Sequence, residues 1–256
     1  MKKVVLLPLV LLIVLISACN KEDSNPLESN DANSSTSLSG QPMPDFTNDP
    51  DYNGVLATIN YEMASPMPGL PAISTNIAFA TLGDGTDAGA VAVNSNTLGK
   101  MTNSGKTYYI VPNPTNPTQV LSNISFNGTA HSWAVAGANG IPSFNGSVNS
   151  PSNFNLTAPQ QNASVSKAGD FVIRWSGGTS ARVHVQITSL SNSSIMKYKS
   201  ELNDNGSYTF PASEISGFSG DCLVHVVKYN YTTVNSGGKK YYLISEIVKN
   251  VTVKIN

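Results

Sequence analysis

The apolar residues of this chain fall into short runs, each closed by Gly, Pro, Asn or Ser, and that punctuation constrains the fold more than any other feature. Val55–Tyr61, Ile73–Thr81, Ala90–Val93, Thr107–Val111, Val120–Phe126 and His131–Val135 form one series. Asp170–Trp175, Arg182–Thr188, Met196–Leu202, Ser207–Phe210, Leu223–Tyr229 and Tyr241–Ile255 form a second. No window holds apolar residues at helical spacing for three turns, so amphipathic helices are excluded as the main element. Short strands with turn signals between them predict an all-β fold, and strands without intervening helices argue for sandwiches over a parallel α/β sheet.

Two β-sandwich domains in tandem are predicted, 47–155 and 156–256, with the break in the Ser-, Asn- and Pro-rich stretch 142–155. Charge changes across it: five acids and two bases before, six acids and ten bases after. The bases are scattered along strands and turns, which excludes a nucleic-acid binder.

The N-terminus carries a different signal. Lys2 and Lys3 precede an apolar stretch, Val4–Ile16, that is too short to span a bilayer as a stable helix, for which roughly 20 residues are needed. Ile16-Ser17-Ala18-Cys19 resembles the bacterial lipobox. That resemblance implies a signal peptide over 1–18 and acylation of Cys19, with the membrane as partner through the lipid. Asn20 in place of an aspartate favours the outer membrane. Lys21-Glu22-Asp23 is similar to a surface-export signal of lipoproteins in some Gram-negative phyla, which implies a protein facing the exterior. Residues 19–46 are Ser-, Asn-, Asp- and Pro-rich and read as a tether, reaching roughly 30 Å as a flexible coil. With Cys19 acylated, Cys222 is the remaining cysteine, and its strand-like setting predicts a small buried hydrophobe.

Asp170-Phe-Val-Ile-Arg-Trp-Ser176 resembles the second strand of a fibronectin type III or immunoglobulin-like domain, with Trp175 in its core. The resemblance makes Arg182–Ile187 the third strand, Leu223–Tyr229 the sixth and Glu246–Ile255 the closing strand. Such sandwiches host many functions, so function has to come from sites.

Asp49, Asp51 and Asn53, followed by Gly54, match the first half of a calcium loop, but the twelfth position holds Asn60 where a bidentate Glu belongs. Calcium is therefore one candidate ligand beside an Asx-rich turn; no other cofactor is implied. His184 and His225 alternate out of apolar strand faces and are expected as two exposed imidazoles, too few for a zinc site. No carboxylate pair is marked by spacing, and no G-x-S-x-G surrounds Ser132 beside His131, so an enzyme, including a glycan-active one, is unsupported. Tyr229, Tyr231, Tyr241 and Tyr242 flank a hairpin with Ser236–Lys239 at its tip. Exposed, they offer faces for stacking on sugar rings; buried, they are cross-strand pairs. The function expected is a lipid-anchored, non-enzymatic surface binding or adhesion protein for a glycan or a protein. The alternative is a structural or accessory subunit of a cell-envelope complex.

Overall fold

The computed structural model describes residues 49–65, 71–114, 116 and 118–256. Cys19, the signal segment and the tether lie outside the described residues.

The first half contributes β1 (Tyr52–Met63), β2 (Ile73–Leu82), β3 (Val91–Val93), β4 (Asn96–Thr97), β5 (Gly99–Asn103), β6 (Lys106–Val111), β7 (Ala130–Val135) and β8 (Phe144–Asn149). The second half contributes β9 (Leu156–Ala158), β10 (Ala163–Val165), β11 (Phe171–Trp175), β12 (Arg182–Ser189), β13 (Met196–Asn203) and β14 (Ser207–Phe210). A one-turn helix, α1 (Ala212–Ile215), then leads into β15 (Gly220–Ser236) and β16 (Lys239–Ile255). The all-β expectation holds.

One large sheet, ordered β13-β12-β15-β16-β1-β2-β6-β5, carries strands from both halves, with β10 also paired to β16. Its spine is the β15–β16 hairpin, which pairs without a register break from Gly220↔Ile255 to Ser236↔Lys239. Gly237 and Gly238 close it at φ 58° and 72°, the two positive values that a type I′ turn requires. β1 joins the other side of β16 in parallel, from Tyr52↔Lys240 to Met63↔Asn250.

Two smaller sheets cover one face of this large sheet. The four strands β4-β3-β7-β8 lie over Leu56, Ala80, Tyr241 and Leu243, with Trp133 and Phe144 between the layers. The three strands β14-β11-β9 lie over Val185, Val224 and Val251, with Trp175 and Phe210 between them. This second lobe is a three-on-four sandwich with Trp175 in its core, as the fibronectin-like reading of its strand order implies. A third apolar group, including Ile59, Val227, Ile244 and Val248, lies on the opposite face of the large sheet.

Polar side chains divide the two cores on the shared face. Along β16 the inward positions read Tyr241, Leu243, Ser245, Ile247. Ser245 faces His131, whose Nδ1 is 3.2 Å from Ser245 Oγ and 2.7 Å from Thr58 Oγ1. His131 Nε2 donates to the Ser125 carbonyl at 3.1 Å, so Nδ1 accepts, and burial holds its pKa below the ordinary value.

Three expectations change. The break at 155/156 separates most of the two cores but not two sheets, because β15 and β16 supply Val234, Tyr241 and Leu243 to the first core. The stretch 142–155 is not merely a linker: it holds β8, whose alternate Phe144 and Val148 are buried. Val120–Phe126 is irregular; only Ile124 in it is buried, and its polar alternates make no ladder.

Candidate ligand-binding cleft

Where β12 ends at Arg182, β15 continues for seven more residues, and a cleft opens at that step. It measures about 760 Å³ and lies between the Thr179–Arg182 loop of one lobe and the Ser147–Ser152 end of β8 in the other. Asn230, Tyr231 and Thr232 form its floor. A second, smaller hollow of about 560 Å³ shares Thr179–Arg182 and reaches Asn203 and Asp204. Hydroxyl and amide groups line both.

The four tyrosines named from the sequence part company here. Tyr231 is 40% exposed and lines the cleft. Tyr229 is fully buried; its hydroxyl donates to Glu201 Oε1 at 2.6 Å, and burial with that carboxylate raises its pKa strongly. Tyr241 is buried against Phe144, ring centroids 4.4 Å apart, and accepts from Asn53 Nδ2 at 2.8 Å. Tyr242 is buried with its hydroxyl on Asp49, and burial raises its pKa. Three of the four are therefore core and support, not ligand surface. Alternation predicts which rings share a face, but both faces of the large sheet are apolar, so alternation did not reveal which ring stays in water.

The calcium ligands do not converge. Asp49 receives Lys240 Nζ at 2.8 Å and the Tyr242 hydroxyl, and these bonds hold its pKa down at about 2. Asn53 reaches Tyr241 instead, on the opposite face of β16, since consecutive strand residues point opposite ways. Asp51 projects into solvent. An ammonium thus holds the carboxylate that would have begun the loop. Among the described residues no cluster of three His, Cys, Asp or Glu is placed to hold a metal.

His184 and His225 are buried, against the expectation of exposed imidazoles. Their strands are neighbours, with Gln186↔His225 and His184↔Val227 in register. Both pKa values lie at about 4, lowered chiefly by burial, and at His225 by the neighbouring His184 as well. Cys222 is buried, and burial raises its thiol pKa, which suits a core residue and not a nucleophile.

Beside the cleft is a group that the sequence did not mark. Lys228 Nζ lies 2.6 Å from Asp204 Oδ2, with both side chains out of solvent. Trp175 Nε1 and Thr179 Oγ1 also donate to Asp204, at 2.7 and 2.6 Å. Lys228 also donates to the Ser176 carbonyl and sits 4.9 Å above the Phe154 ring. This network fixes Thr179 and so one wall of the cleft. Arg182, half exposed, points at Glu201 at 3.5 Å on the same wall.

No protein-family model matches the chain, and no curated protein matches it. Among solved structures it is similar to the fibronectin(III)-like modules of CbhA from Clostridium thermocellum, at 12% identity over 81% of this chain and 93% of that one, with a TM-score of 0.24. It is also similar to DIP-gamma IG1+IG2, at 10% identity over 80% and 99%, with a TM-score of 0.21. The architecture described above rests on the strand pairing.

Proposed function

We propose that this chain is a non-enzymatic binding protein, lipid-anchored through Cys19 at the outer membrane and facing the exterior, that takes a glycan or protein ligand in the cleft between its lobes. The observation that carries the reading is Tyr231: alone among the four tyrosines it is exposed, at 40%, and it lies on the floor of the cleft. An aromatic ring on one side of the strand floor and hydroxyl and amide groups on the other, with Arg182 at one wall, suit a ligand held by stacking and hydrogen bonds. The carboxylates beside the cleft are engaged, Asp204 by Lys228, Trp175 and Thr179 and Glu201 by Tyr229 and Arg182, which supports binding over acid–base catalysis.

A binding screen of the chain from Gln41 onward on a glycan array, with Tyr231→Ala and Arg182→Ala beside it, tests this. Saturable binding that either variant weakens about tenfold or more supports the cleft. Binding that both variants retain puts the ligand elsewhere. The second reading, an accessory subunit of an envelope complex, is favoured by the strand edge that borders the same cleft.

A further inference from the structure

Strand β15 has two strand neighbours along its first part and one along the rest. β16 accompanies it throughout, whereas β12 pairs with it only as far as Arg182↔Tyr229, and no other described strand takes up that side. The direction of its backbone groups follows from the pairing. The Asp221 carbonyl accepts from Leu190 N on the β12 side, at 2.9 Å. Ser236, at the two-residue turn, addresses β16. With no register break between them, the N–H and C=O groups of Thr233 and Asn235 point to the side that β12 has vacated. Both residues are exposed.

β8 does not fill this place. It lies over the face of the segment, reached by inward side chains: Asn230 Nδ2 donates to the Asn149 carbonyl at 3.0 Å and Ser236 Oγ to the Ser143 carbonyl at 3.3 Å. The two outermost strands of the large sheet are blunted in the ways that prevent pairing with a further chain. β13 carries Lys197 and Lys199, and its partner register shifts between Val183 and Val185. β5 is five residues long and carries Lys100. From Asn230 to Ser236, β15 has no lysine, no proline and no bulge.

We propose that this edge is a strand-addition site, at which an extended segment of a partner protein pairs with the backbone of Thr233 and Asn235 and runs on into the cleft at Tyr231. The proposal rests on the reading of the cleft as the binding site and names its ligand as a polypeptide. Ligand side chains on the Tyr231 side meet an aromatic ring and favour aromatic or β-branched residues. The alternate ones meet Ser147 and Asn149 and favour small polar residues. The segment expected is thus one that alternates the two types.

The test pans a phage-displayed library of twelve-residue peptides on the full chain and measures synthetic copies of the enriched ones. Their affinity falls about tenfold or more when alternate peptide nitrogens are methylated, and when Thr233→Pro removes the edge donor. Proline is tolerated where an N–H faces an open edge, and the methylated peptides leave the protein untouched if the variant fails to fold. Enriched peptides that bind equally well whichever nitrogen is methylated overturn the proposal. A library that yields nothing, beside a glycan whose binding depends on Tyr231, overturns it and leaves the cleft reading standing. Failure of peptides and glycans alike overturns both. A dimer in sedimentation that Thr233→Pro abolishes assigns the edge to a second copy, and that also overturns it.

Discussion

The Lys228 ammonium meets Asp204 where neither touches water, and Trp175 and Thr179 complete the donor set around the carboxylate. Burial pushes the Asp204 pKa up, but these bonds outweigh it and hold the group below its ordinary value. Removing one partner strands the other charge, so Lys228→Met or Asp204→Leu alone costs about 3–5 kcal/mol in denaturant unfolding, and the double variant costs less than the sum. The buried imidazoles set the acid response. His184 and His225 titrate near 4 when folded and near 6.5 when unfolded, so their stabilisation is fully present above 6.5 and is lost as pH falls through 4. His131, whose pKa burial also lowers, adds to the same loss. The unfolding temperature should be flat from pH 8 to 7 and drop between pH 6.5 and 4, and His184→Gln should lessen the drop; an unchanged slope in that variant would assign the acid sensitivity elsewhere. Added calcium should leave the unfolding temperature unchanged, because Lys240 already holds Asp49, and a rise on calcium addition would return the ion to that loop. At this scale the sequence was a partial guide. Lys228 sits in a β strand where a lysine reads as solvent-facing, and only its place opposite the Asp204 loop makes it core.

Among the elements, β8 was the least legible and matters most to the cleft. Its buried residues, Phe144 and Val148, are separated by Asn, Gly and Ser, so a turn-like composition hid a strand. Gly146 is there for space: a Cβ would come 2.5 Å from Val234 Cγ2 and 2.8 Å from Leu243 Cδ2. Gly146→Ala therefore costs roughly 1–3 kcal/mol by overpacking, and Val234→Ala in the same chain recovers part of it; the comparison is one of unfolding midpoints. The β15–β16 hairpin was legible because its two apolar runs flank a Gly-Gly turn at the right spacing. Its length was not. Alternation fails beyond Tyr229, where inward positions turn to Asn, Thr and Ser under β8, and the run looks as though it ends.

As a whole molecule, the chain joins two lobes through one sheet. Composition and charge divide at residue 155, and the cores nearly follow, but hydrogen bonding does not. Parallel pairing of β1 with β16 links residues almost 190 positions apart, and no local pattern encodes a partner so distant. The cleft is a consequence of that union, since it lies at the step where one lobe's strand ends and the other's continues. The shared sheet also provides the most direct test, because each core holds one buried tryptophan, Trp133 in the first and Trp175 in the second. Denaturant unfolding of Trp133→Phe and of Trp175→Phe, each followed by fluorescence and by far-ultraviolet circular dichroism, reports on one lobe against the whole. The shared sheet predicts a single transition in each variant, with the two probes coincident. Fluorescence midpoints displaced from the dichroism midpoint, in opposite directions in the two variants, would show two independent tandem domains and contradict it.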